Sequence, residues 1–175
     1  KVFSREVGPQ GHVVLSDINE SMLNVGRDRL IDAGCTNVDF VLANAETLEP
    51  FADNSFDAVT MSFGLRNVVE PKKALAELYR VTKPGGRIVI CEFSTPPAAP
   101  IRAGYNFYLR KVMPMVAKYS SSNTEAYTYL ADSIEDWPNQ ATLATWIREA
   151  GFMNVAYRNL TAGVVALHRG IKPVA

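Results

Sequence analysis

The spacing of hydrophobic and polar positions changes period several times along the chain, and each change predicts an element. His12–Ile18 is a short apolar run ending at an acid, the pattern of a buried strand. From Asn19 to Ala33 the apolar positions Met22, Leu23, Val25, Leu30 and Ile31 fit a helix, with Asn19 or Ser21 to cap it and Gly34 to stop it. Val38–Ala43 and Phe56–Phe63 read as further strands. Pro71 opens a helix to Val81 whose Ala74, Leu75, Leu78 and Val81 share one face. Lys83-Pro84-Gly85-Gly86 is a turn, and Arg87–Phe93 is a fourth strand. Nearly continuous apolar strands alternating with helices predict an α/β domain with a mostly parallel sheet covered on both faces.

After Pro96 the period changes. A proline-rich segment leads into a helical stretch from about Ile101 to Ala117, then a polar turn Ser120–Asn123, then a second stretch from Thr124 to Ile134. Gln140–Ala150 predicts a third helix stopped by Gly151. Asn154–Leu160 and Val164–Arg169, linked by Thr161-Ala162-Gly163, predict an antiparallel hairpin.

Composition narrows the class. The chain has 175 residues, 47% hydrophobic and 21% charged, the balance of one soluble globular domain with a real core. Lys plus Arg equals Asp plus Glu at 18 each, so there is no basic field of the sort a nucleic-acid partner requires. Cys35 and Cys91 form no disulfide framework and no metal spacing. There is no signal-peptide pattern and no apolar run near ~18 residues, so the expectation is a cytoplasmic protein, at most peripheral at the inner face of the membrane.

Four constellations carry candidate chemistry. Asp17 ends the first strand, where an acid is placed to accept hydrogen bonds from ribose hydroxyls; the plain alternative is a helix cap. Ala43-Asn44-Ala45-Glu46 follows the second strand, where small residues let the backbone approach a flat ring and the Asn44 amide could read an adenine edge, or form an ordinary Asx turn. After the third strand come Ser62, Gly64, Arg66 and Asn67: small residues, one of them free to take positive φ, then a permanent cation and an amide suited to a ligand that develops negative oxygen. Here the alternative is a surface arginine and a capping asparagine. Glu92 ends an apolar strand and is open to two readings, a base or an anchor for Arg66.

The stretches DINESML, FGLRNV, KPGGRIVICEFS and NLTAGVVALHRG, in this order, resemble the C-methyltransferases of ubiquinone and menaquinone biosynthesis. The KPGG turn is shared by class I S-adenosylmethionine-dependent methyltransferases at large, whereas FGLRN and the last stretch are more specific. The resemblance implies the Rossmann-like fold of that class, ending in an antiparallel hairpin, with S-adenosylmethionine as cofactor. By position it implies Asp17 at the ribose, Asn44 and Ala45 at the adenine, Ser62 at the methionine end, and Arg66 and Asn67 facing the substrate. The implied reaction methylates a ring carbon of a polyprenylated quinol; from the chemistry, Arg66 is expected to activate the ring oxygen, with Glu92 or a water held by Asn67 open as the base, and segment 97–135 is expected to form a lid. In that lid Tyr105, Tyr108, Met113 and Met115 would meet the apolar tail, and Arg102, Arg110, Lys111 and Lys118 would face lipid headgroups; the plain alternative, which an aromatic stripe at helical spacing favours, is ordinary core.

Two departures accompany the resemblance. Thr82 stands where the family usually has an aliphatic residue, with only a small packing effect expected. The family's glycine-rich cofactor loop and its preceding strand are not found; Lys1–Arg5 resembles the helix after that loop. That strand is central in the family's sheet, so two half-sheets with open edges, reduced stability and weak cofactor binding are expected unless another segment or a second chain fills the gap, which leaves room for a homodimer. His12 is expected on the non-ligand edge, and His168 at the end of the last strand remains open as a substrate contact. Rival readings are a methyltransferase for another small acceptor and a non-catalytic lipid-binding or assembly module. A nicotinamide-binding domain is disfavoured by the lack of any G-x-G-x-x-G.

Overall fold

A computed structural model of the chain describes residues 1–113, 115 and 124–174. They divide into two compact units, Lys1–Ala52 and Asp53–Ala175. The expected end of the first lid helix, the turn Ser120–Asn123 and Lys118 lie outside the described residues.

The first unit contains α1 (Val2–Glu6), β1 (Val13–Asp17), α2 (Glu20–Asp32) and β2 (Val38–Leu42). Its strands are parallel, with Val13 opposite Val38 and Asp17 opposite Leu42. The Asn19 side chain caps α2 by accepting from the Met22 amide at 3.1 Å. Asn37 ties α1 to the sheet: its Nδ2 donates to the carbonyls of Ser4, Gly8 and Gly11, each at 3.0 Å, and its Oδ1 accepts from the Ser4 hydroxyl. His12 sits before β1 and pairs with Asp39 at 2.8 Å, as expected for the edge away from the strand ends. Of the apolar positions read for α2, only Leu23 is buried, while Met22, Val25 and Ile31 are exposed. A two-stranded sheet is too narrow to cover the whole helical stripe.

The second unit is larger. It runs β3 (Phe56–Ser62), a 3₁₀ turn (Leu65–Asn67), α3 (Pro71–Val81), β4 (Thr82–Phe93), α4 (Ala99–Phe107) continued by a π-helical turn (Tyr108–Val112), α5 (Thr124–Glu135), α6 (Gln140–Glu149), β5 (Met153–Leu160) and β6 (Val165–Ile171). The sheet order is β3-β4-β6-β5, with β3 and β4 parallel and the other pairs antiparallel. The strands thus form two separate sheets, as expected, and β1 and β3 each pair on one side only among the described residues.

The lysine-proline-glycine-glycine turn is a bulge inside a strand longer than predicted. The ladder passes from Phe56 opposite Thr82 to Ala58 opposite Arg87, so residues 83–86 loop out, and Gly85 takes φ +78°. Thr82 is fully buried, and its hydroxyl donates to the Leu78 carbonyl at 2.6 Å, so its polarity is satisfied in the core.

The core lies where α3 and α6 meet the sheet. Ala74, Leu75, Leu78 and Val81 of α3, Ile88 and Ile90 of β4, Leu143, Ala144 and Ile147 of α6, and Phe152 are buried. Lys172 closes one end. Its ammonium donates to Asn54 Oδ1 at 2.9 Å and to the last carbonyls of α3, Tyr79 at 2.8 Å and Arg80 at 3.4 Å, and stands 4.3 Å from the Tyr79 ring. A second cluster joins α4, its π-helical turn and α5 through Leu109, Met113, Ala131 and Ile134, with Phe93, Tyr105 and Leu130 against it.

Gln140 holds the hairpin. Its side-chain amide donates to the carbonyls of Thr95 at 3.0 Å and Gly163 at 3.3 Å. Gly163 takes φ +92°, and a Cβ there would lie 2.6 Å from Pro97 Cδ, so only glycine fits. His168 is internal to β6, opposite Ile90, and buried. A carbonyl can only accept, so its Nε2–H donates to Gln140 O at 2.9 Å, while Nδ1 is buried without a partner. The open reading of His168 as a substrate contact therefore finds no support in its surroundings.

Burial holds the His168 imidazole below its ordinary 6.5, against the opposing pull of the Gln140 carbonyl. The unfolded chain takes up a proton below that value which the folded chain refuses. Stability is therefore full above about pH 6.5 and falls as the pH drops from there toward the folded pKa. The thermal midpoint is expected to rise as the pH is raised toward about 6.5, and His168→Gln is expected to flatten that rise; an equal slope in both proteins would assign it to other groups.

Candidate functional site

The residues singled out from the sequence lie at the carboxyl ends of parallel strands in both units, the edge where open α/β sheets bind ligands. In the first unit Asp17 ends β1, and Ala43, just past β2, donates its amide to the Asp17 carbonyl at 3.1 Å. Asn44 and Ala45 follow directly, so adjacent strands bring these residues to one edge. Asp17 is exposed; its Oδ1 accepts from the Asn19 amide at 2.8 Å, and its second oxygen takes no hydrogen bond among the described residues. Asn44 is exposed and does form the Asx turn of the plain reading, Oδ1 accepting from Glu46 N at 2.9 Å, while its Nδ2 stays uncommitted among the described residues.

In the second unit β3 ends at Ser62, exposed and paired with Cys91, with its hydroxyl uncommitted among the described residues. The chain then turns. Gly64 does not take positive φ, lying at −108°; Phe63 does, at +54°. The Phe63 amide stays bonded to Cys91 O at 2.9 Å, while its carbonyl accepts from Arg66 Nη1 and from Asn67 Nδ2 at 3.4 Å. Side chains downstream thus fix a conformation that an aromatic residue rarely adopts.

Arg66 and Glu92 form the centre. On β4 the buried residues alternate, so Glu92 shares the buried face of Ile88 and Ile90. A carboxylate there must be fully bonded. Its Oε1 accepts from Arg66 Nη1 at 3.0 Å and from its neighbour's amide, Phe93 N, at 2.9 Å; its Oε2 accepts from Arg66 N at 3.3 Å. The side chains are 9% and 0% exposed. Of the two readings left open for Glu92, this geometry supports the anchor, because its oxygens are occupied and sealed from a ligand. The Arg66 guanidinium also lies 5.0 Å from the Phe93 ring, which packs against Phe63. Arg66 Nε is buried without a partner.

The helical segment adds two tyrosines. Burial pushes the Tyr105 phenol up and Tyr108 adds to this, while the Arg66 charge pulls it back. Tyr105 therefore stays neutral at pH 7 and is not a resting base. Tyr129 of α5 places its hydroxyl 3.2 Å from Asn67 Oδ1. The sequence reading missed Tyr129, because nothing local ties a helical tyrosine to an asparagine 62 residues earlier. No cluster of three or more metal-ligating side chains occurs among the described residues.

Residues 1–172 match the ubiE/COQ5 methyltransferase family. The chain belongs to that family. It is 62% identical over 162 residues to a demethylmenaquinone methyltransferase of Clavibacter sepedonicus, spanning 93% of this chain and 65% of that protein. It is 55% identical over 174 residues to a ubiquinone/menaquinone biosynthesis C-methyltransferase of Pseudomonas fluorescens, spanning 99% of this chain and 68% of that one. The chain thus spans about two thirds of the length of these relatives. Among solved structures, a SAM-dependent methyltransferase from Aquifex aeolicus superimposes with a TM-score of 0.68 at 21% identity, covering 97% of this chain and 73% of that one. This agrees with the class I methyltransferase fold expected from the motifs.

The residues read from the sequence as lid contacts divide into two sets. Tyr105 and Met113 belong to the apolar cluster of the helices, whereas Tyr108 and Met115 are exposed. Arg110 is committed to Glu135 through two bonds of 2.7 and 3.0 Å, while Arg102 and Lys111 are exposed. Among the described residues no helix is long and apolar enough to cross a membrane.

Proposed function

We propose that this chain acts as an S-adenosylmethionine-dependent C-methyltransferase on a ring carbon of a polyprenylated quinol in quinone biosynthesis. The observation that carries the reading is the turn after β3, where a buried carboxylate holds Arg66 rigid beside Asn67. A ring carbon becomes nucleophilic when the neighbouring phenol loses its proton, and a preorganised cation favours that phenolate. Glu92 serves as a positioning residue for Arg66. When bound, the cofactor supplies a methyl group on a sulfonium sulfur.

The residues at the strand ends fit such a cofactor. Within the first unit, the free oxygen of Asp17 suits ribose hydroxyls and the free Nδ2 of Asn44 with small Ala45 suits an adenine edge; within the second, taken by itself, the uncommitted Ser62 hydroxyl is a polar group of the kind that suits the methionine end. The described helices α4 and α5 are read as the lid over the apolar tail. Ile101, Phe107 and Tyr108, exposed beside Arg102 and Lys111, give it an apolar and basic face suited to peripheral contact with an anionic membrane.

Calorimetric titration of S-adenosylhomocysteine into the natural full-length protein tests the cofactor assignment. Asp17→Ala is expected to weaken binding about 10- to 100-fold, as for the loss of hydrogen bonds to a charged group. Asp17→Asn, which keeps an acceptor for the Asn19 amide, is expected to weaken it as well. Unchanged affinity in both variants would remove Asp17 from the site.

A further inference from the structure

The Arg66–Asn67 turn is held from two directions within the second unit. Glu92 of β4 fixes Arg66. Asn67 receives its hold from the helical segment, where α5 packs on the turn and the Tyr129 hydroxyl reaches Asn67 Oδ1 at 3.2 Å.

Two details give this second contact weight. The other tie of the Asn67 amide, from Nδ2 to the Phe63 carbonyl, is long at 3.4 Å and would hold the amide weakly alone. A flipped amide would set its oxygen against that carbonyl, so the two bonds specify one orientation. In addition, Tyr129 is 56% exposed. Burial of its ring does not account for its position, and its polar bond is made to a residue beside Arg66 at the surface.

We infer that Tyr129 is a positioning residue for the methyl-acceptor site. Its hydroxyl latches α5 onto the turn and orients the Asn67 amide so that the remaining Nδ2–H is offered beside Arg66 to a ring oxygen of the acceptor. This rests on the quinol reading above, and it joins α5 to the catalytic turn through the Tyr129–Asn67 hydrogen bond.

Steady-state methyl transfer by the natural full-length protein tests it, using wild type, Tyr129→Phe, Asn67→Ala and the double variant, with S-adenosylhomocysteine affinity and melting temperature measured on each. Tyr129→Phe keeps the ring and removes only the donor. It is expected to lower kcat about tenfold, the scale of one hydrogen bond, with cofactor affinity and melting temperature unchanged. The double variant is expected to be no slower than Asn67→Ala alone, because the hydroxyl acts through the amide. A Tyr129→Phe protein with wild-type kcat overturns the inference, as does a double variant whose losses multiply. A fall in kcat matched by lost cofactor binding or a lower melting temperature overturns it too, leaving a structural role. Wild type without methyl transfer overturns the quinol reading itself, and the latch with it.

Discussion

Glu92→Ala is expected to destabilise the Asp53–Ala175 unit by about 3–5 kcal/mol, the cost of leaving a buried charge unpaired. Glu92 is fully buried and binds both the side chain and the amide of Arg66, so its removal also frees the start of the 3₁₀ turn. Glu92→Gln keeps the shape and an acceptor but leaves the cation without its counter-charge, and is expected to fall between wild type and alanine. Urea unfolding of each variant measures this. A loss below about 1 kcal/mol for alanine would mean that Arg66 swings out to water and that the pair does not organise the turn.

The second large effect concerns Arg66. Arg66→Ala is expected to lower turnover by about 10²–10³-fold, as for the loss of one preorganised charge-stabilising donor. The single variant alone is ambiguous, since it also strands Glu92 in the core. A double replacement, Arg66→Met with Glu92→Leu, separates the two roles. Exchanging a buried ion pair for apolar residues removes the unpaired charge but still leaves the Arg66 and Phe93 amides without their acceptor, so this protein is expected to be more stable than Glu92→Ala, short of wild type, and to remain slow. If it turns over like wild type, the guanidinium has only a packing role.

Much of the fold was legible because its signals are local. The four apolar positions of α3 recur at helical spacing and are the four that are buried. The Asn19 cap and the antiparallel hairpin likewise depend on neighbouring residues. The parts that were not legible depend on contacts across the chain. Gly64 was the natural candidate for positive φ, but Phe63 takes it because Arg66 and Asn67 draw its carbonyl around. Sequence proximity placed His168 at the end of its strand, whereas pairing carries β6 on to Ile171 and buries the ring. Glu92 could have been read more sharply, since alternation along β4 places it on the face of Ile88 and Ile90, where a carboxylate needs a partner. Tyr129 carried no sequence signal, because only the packing of α5 brings it to Asn67.

The most direct test of the central claim is to follow the methyl group. The natural full-length protein would be incubated with methyl-labelled S-adenosylmethionine and a 2-polyprenylated quinol, and the product analysed by mass spectrometry and NMR. Label on a ring carbon, lost in Arg66→Ala and retained in Arg102→Ala at the exposed face of α4, is the predicted result. Label on a phenolic oxygen, or no transfer to any quinol by a protein that binds S-adenosylhomocysteine, would contradict it.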